Sequence, residues 1–212
     1  MDFSLWLAFV AASTVLLLIP GPTVLLVLAY AVGQGKRVAI PTALGVATGD
    51  LVAMSASLVG LGALVLASAT LFTALKWMGA IYLVWLGLRM LMSAKHASLD
   101  LPETQAGATL APRTAFLNAA AVTALNPKSI VFFIAFVPQF LDPAVPILGQ
   151  SAILIVTFVG LAAFNALAYA LVAARLRSAI RRPGVIRGLM CAGGVTLIGM
   201  GVATAALRRA AA

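Results

Sequence analysis

Two charged side chains lie deep inside strongly apolar stretches of this sequence. Asp50 lies 13 residues after Arg37. Lys128 lies 15 residues after Arg113. At 1.5 Å per residue a helix carries each of them about 20 Å inward, which is the middle of a hydrocarbon core about 30 Å thick. A carboxylate at that depth is costly unless it is paired with a cation, protonated or hydrated. We therefore expect Asp50 to bind a proton or a substrate.

Lys128 is the natural partner of Asp50, because opposite charges at similar depth in one bundle attract directly, through water or through substrate. Structural alternatives exist for both residues. Asp50 could be a neutral acid that hydrogen-bonds a neighbouring helix, and Lys128 could extend its amine toward the membrane surface. Gly45 and Gly49, just before Asp50, favour either close helix packing or open space.

Two proline-containing segments interrupt apolar runs, Pro20-Gly21-Pro22 and Asn126-Pro127. Proline removes an amide donor and clashes with the preceding turn. In lipid the freed carbonyls need partners, so a broken helix must pack on protein or line a wet cavity. The half-helix that begins near Pro22 would direct amide donors and a positive dipole end at a carboxylate. A simple proline kink is the alternative at either position.

The remaining polar residue in an apolar run is Asn165, with Tyr169 one helical turn later. A packing hydrogen bond and a substrate contact are equally consistent with that position.

These residues need long apolar helices to hold them. Of the 212 residues, 63% are hydrophobic and 9% charged, and the mean hydropathy is +1.13. A soluble domain could not solvate such a surface. The sequence therefore predicts an all-α polytopic membrane protein, a single transmembrane domain over residues 1–212. Its helices are expected at about residues 3–32, 38–66, 71–92, 114–140, 147–174 and 188–207.

The formal net charge is +9, which in a soluble protein would suggest nucleic acid. Here most basic residues fall in three loops, between helices 1 and 2, 3 and 4, and 5 and 6. Those loops and their flanks carry Lys36, Arg37, Arg89, Lys95, Arg113, Arg175, Arg177, Arg181, Arg182 and Arg187. Positive loops face the cytoplasm, so both termini are predicted outside, with the bilayer and not nucleic acid as the partner.

A weak internal symmetry is also present. Pro22 and Pro127 are each followed, twelve residues later, by a glutamine, Gln34 and Gln139. Each proline interrupts the first helix of a three-helix half. Two halves with an odd number of crossings must be inverted, so this pattern favours two inverted three-helix repeats with binding between broken helices.

Several segments together resemble one known family. They are Pro20-Gly21-Pro22, residues 45–50 (GVATGD), residues 79–87 (GAIYLVWLG), Asn126-Pro127-Lys128, residues 132–140 (FFIAFVPQF) and the glycine-rich residues 193–201. The chain resembles the LysE/RhtB-type amino-acid exporters over nearly its whole length. The resemblance implies efflux of amino acids or their derivatives across the bacterial inner membrane, driven by the proton gradient, with no cofactor. It leaves open the oligomeric state, for which a homo-oligomer is one alternative.

Three positions depart from the family pattern. Thr23 stands where a small acidic or amide residue commonly follows the first Pro-Gly-Pro, Asn165 stands where an acid is frequent, and Ala119 replaces a usual glycine. With fewer intramembrane acids, a neutral substrate such as homoserine, threonine or leucine is favoured over lysine. The predicted substrate-binding residues are Pro20, Gly21, Pro22, Thr23, Asn126, Pro127, Lys128 and Asn165.

Other functions fit less well. An exporter of metal ions or other small cations would need several intramembrane carboxylates or thiolates, and this chain has Asp50 and Cys191. An enzyme would need a catalytic cluster of His, Asp or Glu near the aqueous ends, and none is apparent, so neither catalytic nor metal-ligating residues are predicted. A purely structural membrane protein would have no use for Asp50 and Lys128.

The resulting mechanistic hypothesis assigns a role to each charge. Asp50 carries the coupling proton, while Lys128 and the broken first helix hold the substrate carboxylate. If the substrate ammonium competes with the proton for Asp50, the proton leaves when substrate binds. That sign is the one required for antiport, in which inward protons drive outward cargo.

Overall fold

The computed structural model describes residues 1–19, 21–67, 69–94, 110–142, 144–175 and 183–206. Within these ranges the chain is helical, with short turns and no strand, so the all-α prediction is confirmed. The helices described are α1 (Phe3–Leu18), α2 (Pro22–Gln34), α3 (Ala39–Ala67), α4 (Ala69–Ser93), α5 (Pro112–Ala124), α6 (Pro127–Ala135), α7 (Ile147–Arg175) and α8 (Pro183–Ala206). Two 3₁₀ turns, Gly35–Val38 and Val137–Phe140, follow α2 and α6.

The predicted interruptions of the first and fourth apolar runs are confirmed. Helix α2 begins at Pro22 and α6 begins at Pro127, each proline in the first turn. Proline is tolerated there, because its missing amide would have had no helical partner. The chain bends by 58° between α1 and α2, and by 46° between α5 and α6.

Counting each bent pair as one segment gives six helical segments among the described residues. By length and hydropathy, Gly35–Gly60 and Ile147–Val172 could each cross a membrane, and the bent pairs raise the number to four. Helices α4 and α8 contain the shorter apolar stretches Trp77–Ser93 and Met190–Ala206. Large apolar side chains such as Leu148 (85% exposed) and Met92 (74%) face outward, which suits hydrocarbon and not water.

Most helix ends fall within a few residues of the predicted positions, with one clear correction. Helix α8 begins at Pro183, five residues before the predicted start at 188. The charge of residues 183–187 predicts a basic loop. Proline, however, suits a first helical turn, and the charge of Arg187 in the second turn stays exposed. Arg187 therefore belongs to α8.

The helix packing is partly preserved when the two halves are exchanged. Helix α4 packs on α8 and α3 packs on α7, each pair being its own counterpart. The packing of α3 on α5 and α6 is matched by that of α7 on α1 and α2. The match fails for the last helix of each half, since α4 packs on α6 whereas α8 packs on α1, the counterpart of α5. The two inverted three-helix repeats stay a prediction.

Glycine permits the closest of these contacts. A Cβ on Gly45 would lie 2.3 Å from the carbonyl oxygen of Phe116, and one on Gly49 would lie 2.6 Å from that of Ala120. Of the two interpretations of this glycine pair, close packing is therefore correct. The pair brings the backbones of α3 and α5 together and fixes the position of the neighbouring Asp50.

Candidate functional site

The two helix interruptions lie against each other. A Cβ added to Gly21, at the first interruption, would meet the Cε and Nζ atoms of Lys128, at the second, at 3.4 Å. Residues of both interruptions line one cavity. The prediction that the two breaks face one another is thus confirmed, and their depth in a bilayer stays a prediction.

Lys128 does not extend toward a membrane surface but is buried, with 6% of its surface exposed. Its Nζ donates hydrogen bonds to the carbonyl oxygens of Leu16, at 3.1 Å, and Ile19, at 2.9 Å. The last carbonyls of a helix have no partner inside that helix, and they form the negative end of its dipole. The ammonium of Lys128 therefore caps the C-terminal end of α1.

Two side chains of α7 complete the cap. Asn165 Nδ2 donates to the carbonyl oxygen of Leu17, and Tyr169 Oη donates to that of Leu18, both at 3.1 Å. Consecutive carbonyls from residue 16 to residue 19 thus each accept a side-chain hydrogen bond. Such complete satisfaction is what a helix end away from water requires. For Asn165, the structure shows the packing hydrogen bond.

Polar side chains also connect the second interruption to the first. Asn126, at the N-cap of α6, accepts from the amide of Lys128 at 3.1 Å through Oδ1. Its Nδ2 donates to the hydroxyl of Thr23 at 3.2 Å, and the Thr23 and Thr123 hydroxyls lie 3.3 Å apart. Asn126 therefore both starts α6 and fastens it to the first turn of α2.

We expect Asn126→Ala to lower stability by about 1–2 kcal/mol, since it removes a helix cap and leaves the Thr23 hydroxyl with one partner fewer. Thermal unfolding of purified protein in detergent measures the change. Asn118→Ala is the control, because it removes one side-chain hydrogen bond, to Tyr30, but no cap. Equal stability losses in the two variants would contradict the assigned capping role.

The cavity between the interruptions is small. Its volume is about 30 Å³, which accommodates about two water molecules and is too small for an amino acid. Its polar lining comprises Thr23, Asp50, Asn126, Lys128, Ser129, Asn165 and Tyr169, and its apolar lining comprises Leu16, Leu17, Val24, Val27, Val46, Ala162 and Ala166.

Asp50 reaches this cavity from α3 with 2% of its surface exposed. Its Oδ1 is buried without a hydrogen-bond partner among the described residues. In the part of the chain that the structure describes, no ion pair joins Asp50 to Lys128, because the Lys128 ammonium is hydrogen-bonded to carbonyl oxygens at the end of α1. A buried, unpartnered carboxyl oxygen is uncommon and costly, so Asp50 is available to an ammonium or a proton.

The structure gathers most of the predicted site residues at one place. Gly21, Pro22, Thr23, Asn126, Pro127, Lys128, Asn165 and Asp50 all belong to the interruptions or to the cavity, whereas Pro20 lies outside the described residues. The predicted site residues did not include Thr123, Ser129 or Tyr169. The sequence does place Tyr169 one helical turn after Asn165, and this four-residue spacing puts both side chains on one face of α7. Where the chain is described, no three His, Cys, Asp or Glu side chains form a group that could hold a metal ion.

Comparison with known proteins identifies the family of the chain. The model of the LysE type translocators matches residues 14–207. The chain belongs to this family. LysE type translocators are multi-pass membrane proteins, so the polytopic fold and the family resemblance found in the sequence are both confirmed. No solved structure matches the chain.

Curated relatives of this LysE type translocator carry names of efflux proteins. A homoserine/homoserine lactone efflux protein of Salmonella typhimurium is 35% identical over 211 residues, covering 99% of this chain and all of the relative. A leucine efflux protein of Enterobacter sp. is 31% identical and covers 74% of this chain and 72% of its own length. An uncharacterized membrane protein of Vibrio cholerae is 32% identical over 95% of this chain and 97% of its own. The family and the two efflux names indicate a transporter.

Proposed function

We propose that this LysE type translocator exports neutral amino acids, of the leucine or homoserine type, from the bacterial cytoplasm across the inner membrane in exchange for protons. The observation that carries the proposal is the cavity at the two interruptions. It combines the Asp50 carboxyl group, whose Oδ1 has no hydrogen-bond partner among the described residues, with both ends of a broken helix. The efflux proteins that resemble the chain over most of its length support the same cargo class.

Each end of the broken helix suits one group of a zwitterionic amino acid. The N-terminus of α2, with Thr23 and Val24 in its first turn, lines the cavity. First-turn amides and the positive dipole end bind carboxylates. Lys128 lies beside Gly21, so its charge adds to that positive end. The substrate ammonium is left for Asp50 and the carbonyls of α1.

The part of the cavity wall that would face the substrate side chain is apolar. Val27 of α2, Val46 of α3, and Ala162 and Ala166 of α7 form this part of the cavity wall. None of them can neutralise a second positive charge, and a buried unpaired charge is strongly disfavoured. The wall therefore favours a neutral side chain over that of lysine.

Competition at Asp50 supplies the proposed coupling. A proton and a substrate ammonium cannot both be held by one carboxylate, so binding of either excludes the other. If Asp50 faces the two sides of the membrane alternately, outward movement of cargo requires inward movement of a proton. This sign corresponds to antiport driven by the proton gradient.

Reconstituted transport tests the proposal. Proteoliposomes loaded with radiolabelled leucine or homoserine should lose label faster when the outside is acidified, and faster than protein-free liposomes. Parallel vesicles loaded with a divalent cation test the metal-export alternative. Cation efflux without amino-acid efflux would exclude the proposed function, and the same holds if neither amino acid moves.

We further propose that the loops after α2, between α4 and α5, and between α7 and α8 are cytoplasmic, with both termini periplasmic. In a Cys191→Ser background, a cysteine replacing exposed Lys36 should react with a membrane-impermeant maleimide only after the cells are opened. A cysteine replacing exposed Ala144 should react in intact cells. Losing one of ten positive charges leaves the charge bias in place, and the reverse labelling pattern would overturn the orientation.

A further inference from the structure

The ammonium of Lys128 occupies a position that the proposed function assigns to the ammonium of the substrate. Its side chain ends in a primary ammonium group, as does the α-amino end of a zwitterionic amino acid. That group is bound to the carbonyl oxygens of Leu16 and Ile19 at the cavity. Unwound carbonyls and half-helix C-termini are cation sites in broken-helix transporters. In this structure, this site is therefore filled by a cation of the protein itself.

We propose that the substrate ammonium displaces Lys128 from the carbonyls of α1, and that Lys128 then moves to Asp50 and expels its proton. This inference rests on the proposed function and changes one step of it, because Lys128, and not the substrate ammonium itself, takes the place of the proton at Asp50. In the simpler alternative, the substrate ammonium reaches Asp50 itself and Lys128 does not move.

Of the three side chains that cap α1, Lys128 is the one that a substrate ammonium can replace. Asn165 and Tyr169 each donate one hydrogen bond to one carbonyl, whereas Lys128 donates to two. A lysine ammonium is a compact point charge on a flexible stem of four carbons, with three rotatable donors. A substrate ammonium offers the same three donors, so it can replace Lys128 at the carbonyls of Leu16 and Ile19 without leaving them unsatisfied.

Asp50 is the destination that the cavity offers to a displaced lysine. A buried ammonium that has lost its hydrogen bonds must find a partner or lose its charge. Among the described residues that line the cavity, Asp50 is the one carboxyl group, and its Oδ1 has no hydrogen-bond partner. Lys128 and Asp50 line the same small cavity, and the flexible four-carbon stem of lysine lets its ammonium change position within it.

The charges balance in each state. Without cargo, Lys128 is positive on α1 and Asp50 is a neutral acid. With cargo, Lys128 and Asp50 form an ion pair, the zwitterion adds no net charge, and the proton of Asp50 passes to water. Besides Lys128, the titratable side chain that shares the cavity with Asp50 is Tyr169. Tyr30 of α2, Tyr82 and Arg89 of α4 and Arg113 of α5 belong to helices that pack on α3 but do not line the cavity.

Proton release on cargo binding tests the inference. Purified protein in weakly buffered detergent solution is mixed with saturating leucine, and a pH indicator records the protons set free. Wild-type protein should release about one proton per bound leucine, as linkage requires when one group ionises on binding. Asp50→Asn should release none. Lys128→Gln should bind leucine more weakly, and per bound leucine it should release at least about tenfold fewer protons than wild type.

The outcomes separate the inference from the proposed function. If wild-type protein neither binds nor transports leucine or homoserine, the proposed function fails. If it binds leucine and Lys128→Gln releases as many protons as wild type, cargo acts on Asp50 directly and the lysine step is wrong. Lys36→Gln, at an exposed lysine outside the cavity, is the matched control. Should Lys128→Gln fail to fold, the leucine-bound wild-type structure decides, since Nζ still on the Leu16 and Ile19 carbonyls would overturn the inference.

Discussion

Asp50→Asn is expected to abolish efflux driven by a pH gradient while the protein still inserts and folds. Asparagine has the shape of the neutral acid but cannot give up a proton, so cargo movement loses its link to proton movement. We expect acceleration by the gradient to fall by about 100-fold, near the upper end of measured coupling between two sites. Labelled-leucine efflux from liposomes with and without an acidic exterior measures the effect.

Asp142→Asn is the matched control for this experiment. Asp142 lies outside the cavity, in the turn before α7, and its Oδ1 accepts from the amide of Ala144. An asparagine oxygen can accept the same bond, so coupling should not change. If Asp50→Asn keeps full gradient-driven efflux, Asp50 has no coupling role, and its position in α3 must be explained by structure alone.

Gly45→Ala is expected to cause a large loss of folded protein. The new Cβ would lie 2.3 Å from the carbonyl oxygen of Phe116 and 2.9 Å from the Cβ of Ala119. Both neighbours are fixed parts of α5, so the two helices must separate. Overpacking of this kind costs about 1–3 kcal/mol, and more where a backbone has to move. The apparent melting temperature in detergent and the yield of monodisperse protein report the loss.

Gly60→Ala on the same helix provides the control. A Cβ at Gly60 has no neighbour within 4 Å, and alanine is the better helix former. Stability should therefore stay level or rise slightly. If Gly45→Ala is as stable as Gly60→Ala, the close approach of α3 and α5 is incorrect. Any folded Gly45→Ala protein should also transport poorly, because its Asp50 would be displaced from the cavity.

Short-range rules were enough to predict the helices and their interruptions from the sequence. Proline cannot continue a helix but suits its first turn, which fixed the starts of α2 at Pro22 and of α6 at Pro127. The same rule applies at Pro183, but the charge of the following residues predicts a loop. The predicted start of α8 at residue 188 is therefore too late. Apolar length and the depth of Asp50 and Lys128 likewise follow from counting residues along one helix.

The partners of the charged residues were decided by the tertiary structure. From the sequence, Lys128 was expected to pair with Asp50 or with a substrate carboxylate, yet its ammonium caps α1, 112 residues earlier in the chain. Tyr169 joins that cap. Among the described residues the buried Oδ1 of Asp50 has no hydrogen-bond partner, and Asp50 lines a cavity of about 30 Å³. The physical reason is that a helix end needs donors for its last carbonyls. Which donors reach them depends on how α1, α6 and α7 pack, and residue spacing within one helix carries no information about that.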